Sequence, residues 1–305
     1  MVERSGGVMP PRPRPPKRTP KAVVYRRRAV ALAVLVAGFL IAWFAVASGG
    51  GSDKPKPPPT TAAVAPPKPF RVIFPEGFTR KQMAVRVTAV AGIARRKRGK
   101  PVRLQGKAYL AATARRRPQP RFGLKPLPLE GFLFPATYDF TARTTSPQLV
   151  AAQLKAFRAN WAKLNLAYAR SKNLTPYDVL TIASMVEKET PAPEERQLVA
   201  GVIYNRLHLR MTLGIDATLR YGLDIPPSES IHASQLESTS PYNTRKYAGL
   251  PPTPIASPGL ASLQAAAHPA KTPYLFFVAK PDKKHHFFTA SSAEFERYKA
   301  EHGYR

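Results

Sequence analysis

The sequence predicts an α+β protein: a single membrane-spanning helix, a small strand–helix part, and a mainly helical body that closes with a C-terminal hairpin. Three observations lead there. Residues 29–47 read AVALAVLVAGFLIAWFAVA, an uncharged apolar run about as long as the roughly 20 residues a bilayer-crossing helix needs. Apolar residues then recur at helical spacing through the middle of the chain. Near the C-terminus two short apolar runs, 274–279 and 286–289, flank a polar turn at 281–284, the pattern of a hairpin.

Taken in order, residues 1–28 are a basic, Pro-rich tail that buries too little apolar surface to offset its ordering entropy. Arg26-Arg27-Arg28 abut the apolar run, and by the positive-inside rule they hold the tail in the cytoplasm. The run is longer than a cleaved secretory signal usually is, so the reading is a transmembrane signal anchor at 29–47 with the body on the extracytoplasmic side of a cell (inner) membrane. Residues 48–69 form a Gly/Pro-rich linker, flexible first and stiffer later. The chain has no cysteine, which excludes a lipoprotein anchor, a thiol enzyme and a thiolate metal site.

The formal net charge is +30, of which the tail carries nine Lys or Arg against one Glu, leaving +22 beyond it. Outside a membrane such a body meets anionic headgroups and wall polymers rather than a chromosome, so no nucleic-acid partner is expected.

Within the body, residues 70–125 open with a strand at Phe70-Arg71-Val72-Ile73-Phe74 and the turn Pro75-Glu76-Gly77. Thr79 with Gln82 is a capping-box pair, and Met83, Val87, Val90 and Ala94 follow at helical spacing. Residues 126–305 form the main domain. There Ser146-Pro147 reads as a helix start, with an apolar stripe from Val150 to Tyr168; Thr175-Pro176 starts a second helix over 176–188, and a third covers 194–208. Loops dense in Gly and Pro follow Met211, and further helices are expected from Ser257-Pro258 to about Ala267 and from about Ala293.

No Gly-rich phosphate loop, His-Glu-x-x-His zinc signature or Gly-x-Ser-x-Gly elbow is present, so neither a cofactor nor a metal is expected. Glu187 and Glu189 stand at the end of an otherwise apolar helix and point about 200° apart, so only one faces a given cleft. A carboxyl group leaving such a helix end is desolvated and holds its proton, which suits it to protonate a glycosidic oxygen. The competing reading puts both in solvent, paired with Lys188 or Arg196.

The ordered blocks Leu129-Glu130-Gly131-Phe132-Leu133-Phe134-Pro135, Val186-Glu187-Lys188-Glu189-Thr190, Tyr204-Asn205-Arg206-Leu207, Ser240-Pro241-Tyr242-Asn243-Thr244, Gly249-Leu250-Pro251-Pro252 and Ala266-Ala267-His268-Pro269-Ala270-Lys271-Thr272 resemble the YceG-like endolytic murein transglycosylase family. The resemblance implies a membrane-anchored lytic enzyme with a LysM-like part over 70–125 and a catalytic domain over 126–305. Its substrate would be nascent peptidoglycan glycan strands, its products 1,6-anhydro-N-acetylmuramic acid ends, its role the limiting of strand length, and its neighbours peptidoglycan synthases. It carries the catalytic acid onto Glu187 and substrate-binding positions onto Asp216, Tyr242, Asn243 and His286.

Bland alternatives stand beside these assignments. Asp216 suits the start of a short helix, Asn243 a turn, His286 an exposed position beside a hairpin, and Glu130 a structural ion pair. The chain also departs from the family where Asp216-Ala217-Thr218 stands for Asp-Pro-Thr, where Arg245 stands for an aromatic residue, and at Ala136, Thr253 and Phe295. The alternative function is a non-catalytic, membrane-anchored peptidoglycan-binding scaffold.

Overall fold

A computed structural model describes residues 69–99, 101–114, 122 and 127–304. The basic tail, the expected span at 29–47 and most of the linker lie outside the described residues. Among the described residues no helix is long and apolar enough to cross a membrane.

Thr79 fixes where the first long helix begins. Its side chain accepts the Gln82 N–H and the Gln82 side chain accepts the Thr79 N–H, a complete capping box that starts α1 (Arg80–Arg98). Gly99, in the left-handed region at φ 63°, ends the helix by donating its N–H to the Arg95 carbonyl. One face of α1 buries Met83, Val87, Ala91 and Ala94, and α2 (Gly106–Ala112) packs across it. The crossing is tight at Gly106, where a Cβ would come within 2.1 Å of Thr88 Oγ1 and 2.4 Å of the Ala84 carbonyl oxygen.

The strand before α1, β1 (Phe70–Ile73), pairs antiparallel with β2 (Thr137–Phe140), Val72 opposite Tyr138. Thus β1, α1, α2 and β2 form a two-stranded ribbon with two helices between its strands. This sheet joins segments from either side of residue 125, the expected division within the body.

Helix α3 (Ser146–Trp161) starts one residue earlier than Ser146-Pro147 suggests, because Thr145 is the cap and forms a box with Gln148. It also ends earlier: Asn160 turns its amide onto the Ala156 carbonyl, and the following turns tighten to three-residue bonds. Tyr168 therefore belongs to a separate short helix, α4 (Ala167–Ser171).

Helix α5 (Pro176–Glu189) is the axis of the domain. Thr175 and Asp178 box its start with Pro176 in the first turn, and every residue from Val179 to Val186 is buried. A helix apolar all round must lie inside a shell of other elements. Here α6 (Arg196–His208), preceded by a 3-10 turn at Pro193–Glu195, and α9 (Leu260–Ala267) pack along it. Between them come α7 (Asp216–Gly222) and α8 (Ala233–Leu236). The chain closes with the hairpin β3 (Phe276–Ala279) and β4 (His286–Thr289), then α10 (Ser292–Glu301), as expected. The result is an α+β fold dominated by helices.

Candidate active site

Both carboxylates at the end of α5 leave the core, but in different directions. Glu187 Oε2 accepts the N–H of Gly259 at 3.0 Å, the residue immediately ahead of α9. The Glu76 carboxyl lies over the same glycine, where a Cβ would fall 1.8 Å from its Oε1. Around them Gly77 donates to the Ser257 carbonyl and Ser257 to the Phe78 carbonyl, both at 2.9 Å. Burial first, and then the charge of Glu187, push the Glu76 carboxyl above its ordinary range, while Arg196 pulls it back. The backbone bonds at Ser257 thus fasten the turn after β1 to the segment ahead of α9, and Glu187 ties the end of α5 to the start of α9.

Glu189 lines a cleft of about 630 Å³. Its walls are the start of α1 with Arg80 and Lys81, the Glu130 segment, α7 with Asp216 and Tyr221, and the loop that carries Tyr242. Desolvation in this cleft pushes the Glu189 carboxyl up to about 7, and the Asp216 charge adds to the rise. The Ala217 backbone N–H, Lys188 and Arg245 oppose it. A carboxyl group that stays protonated to near neutrality is matched to general acid work there.

Glu130 also lines the cleft and is 2% exposed. It accepts the first N–H of α1, from Arg80, at 3.0 Å and the Tyr221 hydroxyl proton at 3.1 Å. Its carboxyl is likewise pushed up to about 7 by burial, with Arg80 the strongest opposing charge. The expected pairing with a basic residue is found, since Arg80 Nε lies 3.9 Å from Oε2. Tyr221 stacks at a tilt against Tyr242, ring centres 5.2 Å apart, and the Tyr242 hydroxyl meets Thr253 Oγ1 at 2.9 Å. Glu130 therefore anchors one end of a two-tyrosine wall.

Of the residues singled out from sequence, Asp216 and Tyr242 line the cleft with Glu189, and Glu187, Asn243 and His286 do not line it. Asp216 is the first residue of α7, where its charge suits the helix start as well as the cleft. Asn243 is fully buried, and its amide donates to the Leu236 and Ser238 carbonyls at 2.8 and 2.9 Å. It organises the loop beneath Tyr242. His286 is buried rather than exposed: its Nδ1 lies 2.7 Å from Glu195 Oε2, and its N–H donates to the same carboxylate, tying the hairpin to the 3-10 turn. The sequence reading missed Tyr221, which nothing local distinguishes, and the cleft-lining role of Arg80. Among the described residues no group of three or more His, Cys, Asp or Glu is placed to hold a metal ion.

A family model described as the YceG-like family matches residues 60–301. The chain belongs to the YceG-like family. Its fold is similar to the crystal structure of a yceG-like protein from Listeria monocytogenes, with a TM-score of 0.61 and 30% identity over 75% of this chain and 76% of that one. The YceG-like chain is also 39% identical over 181 residues to an endolytic murein transglycosylase of Streptococcus pneumoniae, covering 57% of this chain and 32% of the relative. A protein of the same name from Bacillus subtilis is 39% identical over 154 residues, 50% of this chain and 42% of the relative. The YceG-like chain therefore spans well under half the length of the curated relatives it matches.

Proposed function

We propose that the protein is an endolytic peptidoglycan lytic transglycosylase and that Glu189, rather than Glu187, is its catalytic acid. The observation that carries this reading is a desolvated carboxyl group, protonated to about pH 7, on the wall of a cleft shared with Asp216, Tyr221 and Tyr242. The relatives' names support the reaction class. The offset of Glu187, occupied by the Gly259 N–H, supports the choice between the two carboxylates.

In the proposed reaction Glu189 gives its proton to the glycosidic oxygen as the bond from the muramic anomeric carbon to that oxygen breaks. The carboxylate so formed takes the proton of the muramic C6 hydroxyl, and O6 closes on the anomeric carbon. One residue serves as acid and then base, no water enters, and Glu189 ends protonated. Tyrosine walls suit the apolar faces of sugar rings, and Asp216 offers a second acceptor.

The wider reading is also a proposal. The β1–α1–α2–β2 arrangement supports a LysM-like, glycan-holding part, and the apolar run at 29–47 supports a single-pass anchor with the body outside the inner membrane, close to newly made strands and their synthases. Digesting peptidoglycan with the purified body and weighing the products tests the reaction. A lyase releases fragments one water lighter than those of a hydrolase, and intact strands left bound to the protein would make it a scaffold.

A further inference from the structure

Arg245 stands on a loop that is locked on both sides. Its own N–H donates to Asn243 Oδ1 at 3.2 Å. The preceding Thr244 accepts the Gly214 N–H through its carbonyl at 2.9 Å and the Ile215 N–H through its hydroxyl at 3.0 Å. Thr244 also meets Thr218 Oγ1 at 2.9 Å. The backbone carrying Arg245 is thereby fixed against the start of α7, where Nε and Nη2 both reach Asp216 Oδ1, at 2.8 and 2.5 Å. Asp216 in turn lines the cleft beside Ala217 and Glu189.

As a device for stability this contact is poor, because both side chains are nearly half exposed and solvent screens the pair. Its position is more informative. A guanidinium is a permanent cation with directed donors, and here two of them are aimed at the first residue of α7.

We infer that Arg245 is a positioning residue for the Glu189 acid and acts on it through Asp216, holding that carboxylate as a compensated anion beside the reacting group. The inference rests on the reading of Glu189 as the acid. The charge of Asp216 opposes ionisation of Glu189, and Arg245 favours it. The groups bearing on Glu189 are Lys188 on its own helix, Asp216 and the Ala217 N–H on α7, and Arg245 on the loop. Farther round the cleft stand Arg80, Lys81, Glu130, Arg220 and Asp224. Lys81 is paired with Asp224, Arg80 with Glu130, and Arg220 donates to the Pro226 and Glu229 carbonyls, while Arg245 is the cation paired with Asp216.

The signs are opposite for the two partners. Arg245→Leu leaves the Asp216 charge uncompensated, so Glu189 keeps its proton to higher pH and the alkaline limb of kcat/KM moves up by roughly half a unit or more. Asp216→Asn removes the opposing charge and moves the limb down. Arg245→Lys keeps the cation and stays near the wild type, and in the Asp216→Asn background the effect of Arg245→Leu shrinks. A purely structural pair lowers rate or melting temperature and leaves the profile where it was.

The deciding experiment follows the Glu189 side-chain carboxyl by carbon-13 NMR titration in the wild type and the four variants, alongside their pH–rate profiles. Displacement up in Arg245→Leu and down in Asp216→Asn is expected. A Glu189 titration unchanged in both variants overturns the coupling. An active Glu189→Gln enzyme overturns the acid assignment instead, so the two failures are distinguishable.

Discussion

Glu187 and Glu189 leave one helix end on opposite sides: Glu187 is bonded to the Gly259 N–H at 3.0 Å, and Glu189 shares a cleft with Asp216. Glu187 is bonded within the fold, and Glu189 is the group proposed to carry the chemistry.

Activity should depend on the protonated form of Glu189. Its carboxyl is pushed up to about 7, so kcat/KM on peptidoglycan is expected to fall as pH rises through about 7. A pH–rate profile with no alkaline limb below about pH 9 would separate the reaction from this group.

Stability should fall over the same rise in pH. A carboxyl with a raised folded pKa binds its proton more tightly folded than unfolded, so that contribution is complete below about pH 4.5 and is lost as pH rises to about 7. Glu189→Gln, neutral at every pH, should therefore be more stable than the wild type at pH 8, by roughly 1–3 kcal/mol, and nearly equal to it at pH 4. Chemical denaturation at the two pH values measures this directly.

Gly222 should prove intolerant of a side chain. A Cβ there would lie 2.5 Å from Tyr242 Cβ and 2.8 Å from Ser240 Oγ, so Gly222→Ala must push the Tyr242 loop away from α7. Overpacking of this kind costs roughly 1–3 kcal/mol, and the displaced tyrosine should raise KM. Unchanged KM and unchanged melting temperature would show that the loop yields freely.

The parts of this molecule that were legible in the sequence are those set by local chemistry. Thr79 with Gln82 and Thr175 with Pro176 mark helix starts within a few residues, and the apolar run before Glu187 announces a buried helix. Strand β2 was not legible, since its partner β1 lies more than sixty residues earlier and Thr137-Tyr138-Asp139-Phe140 has no strong pattern of its own. Nor was the seven-residue α2, whose fit depends on Gly106 meeting α1. For the site, helical geometry gave the angle between Glu187 and Glu189 but not the side on which a cleft would form. That side is set by where α7 and the turn at Glu76 dock, which are contacts between segments distant in the chain.

The central claim is tested most directly by digesting the same purified glycan strands with the wild type, Glu187→Gln and Glu189→Gln, and counting by mass the products that are one water lighter. Glu187→Gln is expected to retain most of the activity, while Glu189→Gln loses about 10²- to 10⁴-fold and stays folded. An inactive, folded Glu187→Gln beside an active Glu189→Gln would contradict it.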